Sequence, residues 1–180
     1  MQVFLPDRDF AKCAEVLDTK RLVKQLLEGR QILQTLSGES AGWKSHPAVK
    51  MFIGHEGVLY MYLSAIRDEM EKRRYKWENN WEVIQRVTDI YFPNQESYIM
   101  PWWFDDEYLE SVVITHRGRL YAKAPDLYPQ YELEYNMHRD YVCCDKCNYY
   151  WPTHNTPLFH LDWESLDKTE ENIQRTTATV

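Results

Sequence analysis

The sequence predicts an all-α fold: a single compact helical bundle of about four helices with an irregular, aromatic-rich C-terminal extension. Apolar residues recur at helical spacing over long stretches, and Pro, Gly and Ser separate these stretches. The chain has 180 residues, 44% of them hydrophobic, which is enough for one good core but short for two domains. No internal repeat or long linker divides it.

The apolar pattern gives the expected bounds of four helices. The first carries Leu22, Leu26, Leu33 and Leu36 on one stripe and stops at Ser37. The second starts at Pro47, which suits a first helical turn. Its Gly54 and Gly57 suggest close approach of another backbone. Asn79 and Asn80 interrupt before the third, and Asp105 caps a fourth that Pro125 stops. The expected helices cover residues 9–36, 47–75, 81–91 and 105–123.

We divide the chain into a helical domain at 1–131, an aromatic and Cys/His extension at 132–166, and a disordered polar tail at 167–180. No apolar run is long enough to span a bilayer, and the N-terminus lacks a signal-peptide pattern. We therefore expect a soluble, intracellular (cytoplasmic) protein without membrane association, and a monomer.

Charge is distributed unevenly along the chain. The net charge is −7, yet residues 1–76 hold 13 Lys and Arg against 10 Asp and Glu, whereas residues 77–180 hold 8 against 18. Inside the acidic half, residues 111–124 carry four basic or imidazole side chains and no carboxylate. Phosphate binding depends on local potential, so these two regions can form a DNA-binding face. Two ordinary solvated faces are the alternative.

One carboxylate of the first helix stands among cations. Arg21, Lys24 and Glu28 are spaced by three and four residues, which puts them on one helix face, away from the leucine stripe. An ionised carboxylate there suits stabilisation of an oxocarbenium-like sugar or removal of a sugar proton. A solvent-exposed ion pair is the alternative interpretation.

Three ordered blocks of sequence carry a family resemblance. They are Leu-Asp-Thr-Lys to Leu-Glu at 17–28, Ser-His-Pro to Gly-His at 45–55, and Thr-His-Arg to Leu at 115–120. In this order they resemble the pyrimidine-dimer DNA glycosylase family of the phage endonuclease V type, over roughly residues 1–131. The blocks at 21–28 and 43–51 look closer to a divergent bacterial and phage branch.

The resemblance implies a DNA base-excision enzyme. In the family, the N-terminal α-amine attacks the sugar C1′, the base leaves, and a glutamate that matches Glu28 assists strand cleavage from the Schiff base, without a cofactor. The family exposes its nucleophile by removing Met before a small residue. Gln2 is large, so Met1 is the candidate nucleophile here; an α-amine with a pKa of about 8 is partly neutral at pH 7. If Met1 does not serve, Glu28 still supports a water-using monofunctional hydrolase acting on a modified base or nucleotide.

We expect damaged or modified double-stranded DNA as the partner, with a pyrimidine dimer as the default substrate. The sequence departs from the family at Leu27, where Arg is usual, and at Lys20, where His is usual, which leaves the lesion open. A non-catalytic nucleic-acid-binding module is the third hypothesis. For the two histidines among the candidate DNA contacts, helix packing is the alternative role. These contacts are Lys20, Arg21, Lys24, Arg30, Lys44, His46, Lys50, His55, Arg117, Arg119 and Lys123.

The C-terminal part holds two further candidate groups. Its tyrosines at 128, 131, 135 and 141 can stack on bases or complete the core. Cys144 and Cys147 form a Cys-x-x-Cys that, with His154, can hold a structural zinc. Cys143, His138 or His160 would be the fourth ligand. Reduced, partly buried cysteines are the alternative.

Overall fold

The computed structural model describes residues 2–93, 99–141 and 149–153, of which 138–141 are described as backbone only. All of its regular elements in these ranges are helices, so the predicted all-α fold is confirmed. The helices are α1 (Phe10–Val16), α2 (Thr19–Leu36), α3 (Pro47–Lys50), α4 (Glu56–Lys72), α5 (Glu78–Tyr91), α6 (Asp106–Lys123) and α7 (Glu132–Tyr141), with short 3₁₀ turns at Trp102–Phe104 and Pro129–Tyr131.

Helix α2 is the centre of the bundle, because it contacts α3, α4 and α5, while α1 packs on α4 and α6 packs on α7. The leucine stripe predicted on α2 is buried at Leu22, Leu26 and Leu33. Gly29 lies on the buried side too. A Cβ atom there would lie 2.2 Å from Cδ2 of Leu63, so glycine lets α2 and α4 approach closely. The neighbouring residue, Glu28, is buried as well.

The predicted helix over 9–36 is interrupted, and this is the first correction. Leu17 and Asp18 are extended, with ψ of 134° and 158°, and divide it into α1 and α2. Tertiary hydrogen bonds stabilise the break. The Arg73 guanidinium donates to the Leu17 carbonyl at 2.7 Å, and the Tyr128 hydroxyl accepts from the Asp18 N–H at 2.9 Å while donating to the Asp18 carboxylate. The apolar spacing of a helix continues across Leu17 and Asp18, but these distant partners hold both residues extended.

The predicted helix over 47–75 is also two helices. After α3 the chain turns through Gly54, whose φ of 76° is left-handed, before α4 begins. The expected close approach at Gly54 is wrong, since a Cβ there would meet nothing within 4 Å. Glycine is needed at this position for its backbone conformation.

The predicted bounds of the remaining helices are confirmed only in part. The prediction for 105–123 is confirmed by α6, with Asp105 at its N-cap position. Asn79 and Asn80 do not interrupt but lie in the first turn of α5. Helix α7 was missed, because its apolar residues are few and it is held by packing on α6. There are therefore seven helices in the described ranges rather than about four. The predicted tail at 167–180 lies outside the described residues.

A search of the described helices for one long and apolar enough to cross a membrane finds none.

The break between α1 and α2 predicts the effect of removing one hydroxyl. Tyr128→Phe keeps the ring but deletes both hydrogen bonds to Asp18, so we expect the free energy of unfolding to fall by about 1–2 kcal/mol in urea titrations. Tyr75→Phe is the matched control, because its hydroxyl also bonds the start of α2, at Thr19 Oγ1, but in an exposed place. Equal effects of the two variants would contradict this role of Tyr128.

Candidate active site

Glu28 is buried, although it lies between charged residues in the sequence. It is only 6% exposed, and its Oε1 lies 3.4 Å from Nζ of Lys24, whose side chain is 63% exposed. A solvent-exposed ion pair therefore does not describe it. A carboxylate held in a partly dehydrated place interacts more strongly with a developing positive charge than one in bulk water.

The N-terminal segment lies across α2 beside this carboxylate. The side-chain amide of Gln25 binds this segment through both of its polar atoms. Oε1 accepts from the Phe4 N–H at 2.8 Å, and Nε2 donates to the Gln2 carbonyl at 3.3 Å. The hydroxyl of Tyr62 lies 2.8 Å from the same Oε1 and 2.9 Å from the Phe4 carbonyl, and its proton serves one of them. Gln25 precedes Glu28 by about one helical turn, so Gln2 is anchored on the face that carries Glu28.

Helix α6 contributes the opposite side of the site. His116 is fully buried and its Nδ1 accepts from the Leu5 N–H at 2.8 Å, which anchors the N-terminal segment a second time. Three residues further along is Arg119, and Lys123 is one turn beyond. Burial, reinforced by Arg119, Arg21 and Lys24, lowers the pKa of Lys123, whereas Glu28 raises it. The cations of α2 and α6 thus share one surface around Glu28.

Residues 149–153, which we call the C-terminal strap, pack beside this surface. The Tyr150 N–H donates to Thr115 Oγ1 at 3.0 Å, and Tyr150 is buried. The rings of Tyr149 and Trp151 contact His116 edge-on, with centroids 5.4 and 5.1 Å away. Arg119 lies over the Tyr149 ring at 5.3 Å.

His46 completes the cluster from α3. It occupies the N-cap position, where Nδ1 accepts from the Ala48 N–H at 3.1 Å. The rings of Trp43 and Trp151 stand nearly perpendicular to the imidazole, at 5.7 and 6.3 Å. Burial and, after it, the N-terminal ammonium lower the pKa of His46, and the Glu28 carboxylate opposes this by raising it. The effect of Glu28 indicates that the two side chains lie in the same region.

Two of the predicted DNA contacts are engaged inside the fold. Arg21 pairs with Asp18 at 2.6 Å and stacks over Tyr128 at 5.3 Å. Arg117 donates to the Pro6 carbonyl at 2.7 Å and lies 3.3 Å from the Glu134 carboxylate. Both guanidinium groups are therefore committed to holding segments together.

The other candidates are spread more widely. Lys20, Lys44 and Lys50 are exposed, and Arg30 is half-buried on α2. His55 starts α4, with Nδ1 3.2 Å from the Ile99 carbonyl oxygen. The structure brings Lys24, His46, Arg119 and Lys123 into the region of Glu28, and leaves these five outside the contacts described above.

Of the C-terminal candidates, the structure describes three of the tyrosines but not the proposed zinc ligands. Tyr128 is buried and stacks on Tyr131, with ring centroids 6.2 Å apart, and Tyr135 packs on Tyr121 at 5.2 Å. Met1 and the proposed zinc ligands Cys143, Cys144, Cys147, His154 and His160 lie outside the described residues, as does the side chain of His138. In the ranges that the structure covers, no group of three His, Cys, Asp or Glu side chains is suited to a metal ion.

Sequence reasoning did not single out Gln25, Tyr62, Tyr149 or Trp151. For Gln25 a signal was available, because it is an uncharged polar residue among the buried positions of α2, one turn before Glu28. Tyr62 looks like an ordinary core aromatic, and only the tertiary structure shows its hydroxyl between α2 and the N-terminal segment.

The helical fold with a buried carboxylate among cations is consistent with a DNA-processing enzyme, and comparison with known families makes this specific. Residues 1–83 match the family model described as pyrimidine dimer DNA glycosylase. The family resemblance predicted from the sequence is therefore confirmed over this segment, which contains Gln25, Glu28 and His46. The match stops before α6, so the likeness of the 115–120 block stays a prediction. No curated protein and no solved structure matches the chain significantly.

Anchoring of the N-terminal segment by Gln25 predicts a local change in hydrogen exchange. Gln25→Leu leaves the buried Phe4 N–H without its acceptor, which costs about 1–3 kcal/mol, so we expect amide exchange at Phe4 to rise by about ten- to a hundredfold. Gln31→Leu, on the same helix and half-buried, is the control. Unchanged exchange at Phe4 in a folded Gln25→Leu protein would show that this anchor is unimportant.

The pKa of His46 predicts a titration that reports on Glu28. Because burial lowers this pKa, we expect the imidazole to titrate below about 6.5 by NMR, and its contribution to stability to be present above that pH and lost as pH falls. Glu28→Gln removes the opposing effect and should lower the pKa of His46 further. Glu82→Gln, an exposed carboxylate on α5, should not. A rise in the Glu28→Gln protein would contradict the proximity.

Proposed function

We propose that this protein is a DNA base-excision repair glycosylase that cleaves the N-glycosidic bond at a damaged or modified pyrimidine in double-stranded DNA, with a pyrimidine dimer as the default substrate. The observation that carries the proposal is the buried Glu28 carboxylate, at which the anchored N-terminal segment and the cations of α2 and α6 meet. It lies in the segment that matches the glycosylase family.

The chemistry assigned to Glu28 follows from its charge and burial. Breaking the C1′–N1 bond leaves positive charge on the sugar, and a nearby carboxylate stabilises that charge. A carboxylate can also accept a proton in the later step. Lys24, one turn away on the same face, is exposed and suited to a phosphate oxygen of the strand that carries the sugar.

The α-amine of Met1 is the proposed nucleophile. Its nitrogen forms a bond to C1′, the electron pair of the C1′–N1 bond leaves with the base, and the amine proton passes to Glu28 or to water. Opening of the sugar ring, with a proton added to O4′, gives a Schiff base. Loss of a C2′ proton, assisted by Glu28, then breaks the C3′–O bond and expels the phosphate. Anchoring of the Gln2 carbonyl by Gln25 supports this arrangement, because Gln2 is covalently adjacent to the nucleophile.

Local charge supports DNA as the partner despite the net charge of −7. Burial and the neighbouring cations Arg119, Arg21 and Lys24 lower the pKa of Lys123, which indicates crowded positive charge. Binding a phosphate relieves that repulsion and releases counterions from the DNA. The exposed Lys20, Lys44 and Lys50 can extend the contact along the backbone.

The size of Gln2 favours one second candidate, a monofunctional hydrolase. If the amine of Met1 is blocked or poorly placed, Glu28 can activate water for attack on C1′, and no Schiff base forms. This alternative uses the same carboxylate and the same cations. It differs from the leading proposal in the absence of a covalent intermediate.

Borohydride trapping tests nucleophile and substrate together. The substrate is duplex DNA with a single thymine dimer, and the proteins are the wild type, Glu28→Gln, Glu82→Gln and a variant with two residues added before Met1. We expect a trapped adduct with the wild type and with Glu82→Gln. Extension should abolish trapping, and Glu28→Gln should lower the rate of strand cleavage by about 10²–10⁴-fold.

Each departure from this pattern has a distinct meaning. Cleavage of the C1′–N1 bond without a trapped adduct would support the monofunctional hydrolase. DNA binding with neither base release nor strand cleavage, unchanged by Glu28→Gln, would contradict the glycosylase proposal and point to a non-catalytic binding module.

A further inference from the structure

One nitrogen of His46 is free to contact a substrate. Its Nδ1 accepts the hydrogen bond from the Ala48 N–H that caps α3, so Nδ1 carries no proton and Nε2 carries one. In the part of the chain that the structure describes, Nε2 forms no hydrogen bond, and His46 is half-buried rather than enclosed. The imidazole therefore presents an uncharged N–H donor whose tautomer is set by the helix cap.

The surroundings of His46 suit a flat ring. The rings of Trp43 and Trp151 both lie near the imidazole and nearly perpendicular to it, and Trp43 is 47% exposed. Trp151 comes from the C-terminal strap, which the Thr115 and Tyr150 hydrogen bond fixes to α6. Aromatic faces next to one polar donor are a common way to bind a planar heterocycle.

We propose that His46 is a substrate-contacting residue whose Nε2–H donates a hydrogen bond to the O2 carbonyl of the pyrimidine released at the Glu28 site, between the side chains of Trp43 and Trp151. The inference rests on the proposed glycosylase function and adds the means by which the base is recognised. The electron pair of the C1′–N1 bond moves into the departing ring, and negative charge grows on O2. A fixed donor there stabilises this charge.

His46 donates a hydrogen bond in this step and keeps its proton. Protonation of Nδ1 would break the bond from the Ala48 N–H and so remove the cap of α3. Burial also lowers the pKa of His46, which keeps the ring neutral at pH 7 against the attraction of Glu28. The charged groups that act on the His46 ring are the N-terminal ammonium, which lowers its pKa, and the Glu28 carboxylate, which raises it. The released base takes its proton from water.

The test separates recognition of the base from support of the fold. His46→Asn is the variant, since asparagine is an excellent N-cap and keeps an acceptor for the Ala48 N–H while losing the imidazole donor. Asp9→Asn is its matched control, because the exposed Asp9 side chain caps α1 as His46 caps α3 and lies outside the proposed site. The substrates are a duplex with one thymine dimer and the same duplex with a preformed abasic site.

We expect His46→Asn to lower the rate of C1′–N1 bond cleavage in the dimer duplex by about 10²-fold or more, while cleavage at the abasic site, which has no base, stays at the wild-type rate. Asp9→Asn should leave both unchanged. Equal losses on the two substrates would overturn the proposal, because His46 would then act on the fold or on the DNA backbone. An unchanged rate of C1′–N1 bond cleavage would overturn it too.

A binding measurement tests the role of His46 even if the proposed glycosylase function fails. If the wild type processes neither substrate, the glycosylase proposal fails, and fluorescence anisotropy decides on His46. The probes are the dimer duplex and one with a tetrahydrofuran abasic analogue. Weaker binding of His46→Asn to the dimer duplex alone supports contact with the base. No change, or the same change on both probes, overturns it.

Discussion

The hydrogen bonds between the N-terminal segment and α2 are the constraint on which the rest of the site depends. Gln25 binds the Phe4 N–H and the Gln2 carbonyl, and His116 accepts the next free N–H, from Leu5. A buried backbone N–H without an acceptor costs about 1–3 kcal/mol, so this segment is held where α2 and α6 offer acceptors. The same two helices carry Glu28 and the cations near it.

One carboxylate of the charged helix α2 is buried next to a position where α2 packs closely on α4. Gly29 lies against the Leu63 side chain, and Glu28, the preceding residue, is only 6% exposed. Lys24, one turn back on α2, stays in solvent. The helix therefore presents a dehydrated carboxylate and a solvated ammonium side by side.

The site is assembled from parts that lie far apart in the chain. Gln25, Glu28 and His46 lie within the segment that matches the glycosylase family, whereas α6 and the strap lie beyond it. The strap meets both halves through Trp151, whose ring contacts His46 and His116. Residues after the family match thus shape the surroundings of a carboxylate within it, which is where a difference in substrate preference can arise without a change in the central chemistry.

Sequence periodicity was sufficient for some of these features and insufficient for others. The leucine stripe of α2, the bounds of α6 and the position of Glu28 among cations were all predicted, because they depend on residues within a few turns of one helix. Helix α7 and the interruption at Leu17 were not. Each depends on partners distant in sequence: α6 for the helix, and Arg73 with Tyr128 for the interruption.

The sequence by itself determined the helical class and the likeness to the glycosylase family, which the family model matches over residues 1–83, since both follow from local spacing and residue order; it also singled out Glu28 as the candidate carboxylate. Only the tertiary structure decided that Glu28 is buried, that Gln25 and His116 anchor the N-terminal segment, and that Arg117 supports the fold. Burial and hydrogen-bond partners depend on which distant segments pack together, and a pattern of period 3.6 along one helix does not contain that information.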